Sequence, residues 1–227
     1  FEKAPLMAGH PMLLNKLANW RDPSHWARNL HRLIQSWGFT LMVQPTTVLT
    51  PCKFRGSVAA TPWPVLMLSS WLQLIFARTD GEMLCNGLPL GPQWKTELTA
   101  FWQLYRTVNP GHGVYSQPED RLGWTLPFLY HGDEGRGRLR RAVLICSYQP
   151  LLFCGGHSFK SRLLASVFPG ERYACVEGEE TLEALHDAVA ADMRDLFENG
   201  LEVGLFILCR MLVLLRRQTL WSLLFWL

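Results

Sequence analysis

The stretch "FLYHGDEGRGRLRRAVLICSY", residues 128–148, gathers the side chains best suited to chemistry in this chain. His131, Asp133 and Glu134 stand among Gly132, Gly135 and Gly137, and Arg136, Arg138, Arg140 and Arg141 follow. A carboxylate at the end of a buried strand is a common start for a two-metal site, because the strand fixes it while other elements complete the cage. Magnesium takes oxygen ligands and keeps waters, so Asp133 with Glu134 nearby suits it better than zinc. The plainer reading is a surface hairpin. Asp favours turns, glycine permits positive φ, and the arginines become a solvated edge whose ion pairs add little. On spacing alone the hairpin is the commoner of the two, and both stand.

Alternation limits what such a strand could present. Leu129, His131 and Asp133 share one face, and Phe128, Tyr130 and Glu134 take the other. The two acids face the same way only if the turn starts between them. The arginine run, with "HSFKSR" at 157–162, could form a basic surface for nucleic-acid phosphate. It lacks the interleaved aromatics that base stacking would use. "GDEGRG" is no phosphate loop, since it has no Lys-Ser/Thr end and sets two acids where phosphate would approach. In "CGGHSF", Cys154 and His157 fit a sharp turn better than a nucleophile pair. His186, Asp187, Asp192 and Asp195 read as the solvated face of a helix.

The elements that must position these groups are legible in outline. "RDPSHWARNLHRLIQSWG" is a capped helix, with Trp26, Leu30, Leu33, Ile34 and Trp37 on one face. "FTLMVQPTTVLTPC" is extended, with prolines that suit edge strands. A second helix takes Val65, Leu68, Leu72, Ile75 and Phe76 and closes at Asp80-Gly81. "EMLCNGLPL" resembles a short hairpin around Asn86-Gly87. A third helix spans about Gln93 to Thr107. "TLPFLYHGDE" is a strand, "GRGRLR" a turn and "RAVLICSY" the returning strand. "SFKSRLLASVF" reads as a short helix stopping at Pro169. "EETLEALHDAVAADMRDLFENG" is the clearest helix, with acids at its start and Asn199-Gly200 as its C-cap.

Composition bounds the rest. At 48% hydrophobic and 18% charged, the chain can bury a sizeable core and is not a disordered protein. A net charge of +3 is too small to imply nucleic acid by itself. The cysteines form no CxxC pair, which argues against a zinc ribbon, and reduced thiols in an intracellular protein are expected. The tryptophans fall mostly on helix faces, as core residues do. "FEKAPLMAGH" lacks the basic start and apolar run of a signal peptide, and the chain reads as a fragment.

The last segment, "LEVGLFILCRMLVLLRRQTLWSLLFWL", is leucine-rich with Glu202 as its only acid. A spanning helix needs about 20 apolar residues. Arg210 and the pair Arg216-Arg217 interrupt this one, so membrane attachment through residues 204–227 and a basic surface helix are both conceivable. The reading we favour is a non-native tail from intron read-through or a frameshift. The expected organisation is therefore a mostly helical N-terminal region with short strands over 1–110, an α/β region over 111–203, and the tail, with a soft boundary near 110–124.

Two resemblances add to this. "PFLYHGDEGRGRLRRAVLICSYQPLL", "HSFKSRLLASVFP", "TLEALHDAVAADMRDLFENGLEV", "SSWLQLIF" and "ELTAFWQLY" resemble blocks of large dinoflagellate protein families that have no known activity, over most of residues 25–203. A strand ending in "GDE", a basic turn and a second strand are also similar to the start of the catalytic domain of Plavaka/CACTA-type DNA transposases. That similarity implies an RNase H-like fold with acids holding two divalent metals. Asp133 would be the first catalytic, metal-binding acid and Glu134 its neighbour. DNA would be the partner, Mg2+ the cofactor and the nucleus the location. The implied second acid belongs on a strand shortly after "FENGLEV", where the leucine-rich segment stands instead. The expectation is a mixed α+β protein with an incomplete RNase H-like sheet, transposase-derived and catalytically inactive. The alternative is a non-enzymatic interaction protein with a structural hairpin.

Overall fold

The computed structural model describes residues 43–136, 142–154, 161–176, 179–202 and 208–215. Contacts divide the chain between Met42 and Val43, and the helix expected over 21–38 lies outside the described residues. The described part is a mixed α+β fold. It opens with an antiparallel hairpin, β1 (Thr46–Phe54) and β2 (Ser57–Val65), registered from Thr46↔Val65 to Phe54↔Ser57. Arg55 and Gly56 both have positive φ, which matches the right-handed strand twist in a two-residue turn. With only two strands, each has an outer edge where a proline lacking N–H is tolerated, as at Pro51, Pro62 and Pro64.

Helix α1 (Leu68–Thr79) buries Leu68, Leu72, Ile75 and Phe76. Val65, expected within this helix, instead ends β2 and is fully buried. Asp80 and Gly81 are both left-handed and turn the chain out, as expected. Gly81 is boxed in: an added Cβ would lie 2.5 Å from a Phe76 ring carbon and 2.9 Å from Trp94. No hairpin follows. A 3-10 turn covers Glu82–Leu84, and Asn86 N–H reaches Leu152 O at 2.7 Å. Asn86-Gly87 still makes a left-handed turn, but it hands its backbone to a distant segment. Helix α2 (Pro92–Val108) buries Trp94, Leu98 and Trp102, and a four-residue helix α3 (Glu119–Leu122) follows.

The sheet comes next. Strands β3 (Thr125–Arg136), β4 (Ala142–Pro150) and β5 (Leu163–Pro169) form an antiparallel meander. A small pair, β6 (Cys175–Val176) and β7 (Glu179–Glu180), leads into helix α4 (Thr181–Glu198). Then come β8 (Leu201–Glu202) and β9 (Leu208–Leu215). The sheet order is β5-β4-β3-β9-β8, with β9 parallel to β3 from Thr125↔Arg210 to Tyr130↔Leu215. Helix α4 is the crossover that a parallel neighbour requires. Gly200, at φ 78, ends it as expected of the Asn199-Gly200 cap.

Several expectations are corrected. Residues 163–169 are a strand, not a helix. Leu163, Ala165 and Phe168 point inward while Leu164 and Val167 are exposed, and the register shift at Cys146/Ser147 breaks the strict alternation that would have betrayed the strand. β3 runs on through Asp133, Glu134, Gly135 and Arg136, so the turn starts later than "GRGRLR" implied. The buried hydrophobic cluster includes residues from Cys52 to Leu201. Leu208–Leu215 is a strand, so neither a spanning helix nor a surface helix starts there. Among the described residues no helix is long and apolar enough to cross a membrane.

Candidate functional site

β3 begins buried and ends exposed. Thr125, Leu126, Pro127 and Phe128 are buried, Leu129 to His131 are half-buried, and Gly132 to Gly135 are exposed. Asp133 and Glu134 sit on this outer half, opposite Ile145 and Leu144 of β4. The turn does not begin between them, so their side chains point to opposite faces. Leu126 and Phe128 mark the inner face, which carries Tyr130, Gly132 and Glu134. The outer face carries Leu129, His131 and Asp133. His131 Nε2 lies 3.0 Å from Gln149 Oε1 on the neighbouring strand.

This geometry weakens the acid pair as a metal centre. One ion cannot bridge carboxylates on opposite faces of a strand. Among the described residues, no group of three or more His, Cys, Asp or Glu side chains converges as metal ligands do. Arg136 closes β3 opposite Ala142, while Arg138, Arg140 and Arg141 lie outside the described residues, as does His157 of "CGGHSF". Cys154 is exposed and free.

The inner face holds a polar group around His186, which is half-buried against the sheet and not on the solvated face expected of it. The His186 ring of α4 meets the Tyr130 ring edge-on, with centroids 5.8 Å apart. Tyr130 shares a hydrogen bond with Cys146, and its ring lies 5.6 Å from that of Tyr148. Burial raises the hydroxyls of Tyr130 and Tyr148 and the thiol of Cys146, so all three stay protonated at neutral pH. Burial also lowers His186 below its ordinary value, against a smaller opposing pull from Asp187. None of these shifts makes a nucleophile. They describe a neutral polar layer between helix and sheet.

Asp192 belongs to the same helix and is not on a solvated face. It accepts hydrogen bonds from Leu68 N at 3.0 Å, Ser69 N at 3.2 Å and the Ser69 hydroxyl. Helix α1 has no side-chain cap of its own, and α4 supplies one from across the fold. The signal in the sequence was the missing cap before Leu68, where Met67 stands. Asp187 is exposed as expected, and so is Asp195, which accepts from Asn199 Nδ2 at 2.7 Å.

Comparison with known proteins adds no identification: no protein-family model, curated protein or solved structure matches the chain.

Proposed function

We propose that this chain is a transposase-derived, nucleic-acid-handling protein that keeps part of an RNase H-like sheet without the acids needed for catalysis. The observation that carries the reading is strand β9. The transposase resemblance expects a strand shortly after "FENGLEV" bearing the second metal-binding acid. Leu208–Leu215 is a strand at that point, parallel to β3 and hydrogen-bonded to it. Its sequence, "LCRMLVLL", has a cation and no carboxylate. Two-metal catalysis needs several acids to hold both ions. Asp133 is left as one matched acid, with Glu134 turned to the other face. The role that remains is binding, with the arginine run from Arg136 to Arg141 approaching DNA phosphate and the nucleus as its place of action.

Two assays test this. The purified chain is given Mg2+ and DNA. No cleavage or strand transfer is expected, and Mg2+-dependent activity abolished by Asp133→Ala would overturn the inactive reading. DNA binding is then followed by fluorescence anisotropy at rising salt. Neutralising Arg138, Arg140 and Arg141 together should weaken binding and flatten the slope of log K against log salt by up to ~3. Binding unchanged by the triple variant would sink the DNA reading.

A second reading has its own observation. Ile145, Leu164 and Val167 are exposed on the outer sheet face, and such patches mark interaction surfaces. Intact folding with no DNA binding supports a non-enzymatic interaction protein. Membrane attachment through residues 204–227 is the weakest reading, because Leu208–Leu215 is committed to the sheet.

A further inference from the structure

The tip of the β1–β2 hairpin gathers an aromatic ring and cations from two distant parts of the chain. Phe54 closes β1 and is 49% exposed. The guanidinium carbon of Arg55 lies 5.3 Å from the centre of its ring, and that of Arg172 lies 4.6 Å from it. Arg172 comes from a 3-10 turn, Gly170–Arg172, that follows β5. An antiparallel bridge between Cys52 and Tyr173 pins this turn to β1. The Ser57 hydroxyl donates to Phe54 O at 2.9 Å and closes the hairpin end. The cluster therefore stands on fixed backbone. Lys53 is exposed beside it on the other face of β1, and Glu171 is exposed next to Arg172, so Lys53, Arg55 and Arg172 stand with one acid in this neighbourhood.

Arg55 departs from what the turn itself favours. It holds φ 49, in the left-handed region, where asparagine or glycine suits the first place of a two-residue hairpin turn better. Strain of this kind collects at functional sites. Here it sets a cation over an exposed ring. The geometry points to a binding site for single-stranded nucleic acid at this tip, with Phe54, Arg55 and Arg172 as its contacts. Guanidinium groups grip phosphate through paired N–H donors, and one already laid on an aromatic ring loses little freedom on binding. Unpaired bases stack on aromatic rings and guanidinium planes alike, whereas duplex bases are already stacked on each other. An acidic peptide would meet the charges and leave the flat surface unused. The site is distinct in sequence from the run Arg136–Arg141 and does not depend on it.

Fluorescence anisotropy of the full chain with a labelled oligothymidylate of about 12 nucleotides tests this. The double variant Arg55→Asn, Arg172→Gln should bind several-fold more weakly and flatten the slope of log K against log salt by up to ~1.4. Phe54→Leu should weaken binding to the single strand about fivefold or more and leave binding to a duplex of the same length unchanged. Arg55→Asn alone should melt at or above the wild-type temperature, because Asn accepts positive φ. A lower melting temperature with unchanged binding would make Arg55 structural and overturn the site. Unchanged binding by the double variant would overturn it too, as would equal loss on the duplex from Phe54→Leu. Displacement of the strand by poly-glutamate at equal charge concentration indicates an acidic partner and also overturns it. The same substitutions are then made in protein with Arg138, Arg140 and Arg141 already neutralised. The same fold-loss there supports the tip whatever the run does. Loss of all binding from neutralising the run, with no further effect at the tip, supports the run and overturns the tip.

Discussion

Asp192 of helix α4 caps helix α1 by accepting the backbone N–H of Ser69 at 3.2 Å, along with that of Leu68 and the Ser69 hydroxyl. This ties the crossover helix to an element more than a hundred residues earlier in the chain. Replacing Asp192 with Ala removes the acceptor for two otherwise unpaired helix donors. The expected loss is about 1–3 kcal/mol in chemical denaturation. Asp192→Asn keeps an acceptor oxygen and should cost less. Equal stability of wild type and Asp192→Ala would contradict the clasp.

Trp102 is fully buried, and its indole N–H donates to Thr125 O at 2.8 Å, where β3 begins. Trp102→Phe leaves that carbonyl without its donor and also removes ring volume. A loss of about 1–3 kcal/mol is expected, and Trp102→Ala should cost about 3–5 kcal/mol. Thermal melts of the three proteins check the ranking.

Gly81→Ala introduces a side chain at φ 76, where the new Cβ collides with Phe76 and Trp94. Both rings are buried, so neither can swing clear. The variant should melt well below wild type, whereas Gly56→Ala, with open space around it, should show only the backbone cost of positive φ.

Acid should loosen α4. The folded state holds His186 below its ordinary value, chiefly through burial, so the unfolded chain takes up the proton first as pH falls. Stability is therefore full above about pH 6.5 and declines below it, until the folded-state imidazole itself titrates. His112 is lowered by burial as well and adds to the same trend. Denaturation curves from pH 7.5 to 5 should be flatter for His186→Phe than for wild type. Parallel curves would remove His186 from the account.

Thiol labelling should sort the cysteines by environment. Cys85 is buried, and burial with the nearby Glu97 charge pushes its thiol up to about 11. Cys146 is raised too, while Cys154 and Cys175 are exposed. Iodoacetamide at pH 8 should modify Cys154 and Cys175 first and leave Cys85 and Cys146 intact until the protein unfolds, as read by mass spectrometry. Early labelling of Cys85 would mean that its burial is wrong.

How much of this was legible beforehand follows from the range of the forces involved. Periodicity is local, so it located α1, α2 and α4, and turn-forming residue types marked the exits at Asp80-Gly81 and Asn199-Gly200. It failed at Leu163–Pro169, where a bulge against β4 places Ala165 and Ser166 both inward and blurs the strand signature. It failed at Asn86-Gly87 because the turn's donor goes to Leu152, a partner remote in sequence.

The sequence by itself determined which residues could do chemistry and that β9 would bring no carboxylate to the sheet. It also determined that Asp133 and Glu134 must part if the strand continues through them, because side chains alternate whatever surrounds them. Only the tertiary structure decided that the strand does continue. It also decided that Asp192 serves a helix N-terminus instead of solvent, and that Leu208–Leu215 pairs with β3. Those outcomes depend on hydrogen bonds and burial between segments far apart in the chain, and no local pattern encodes them.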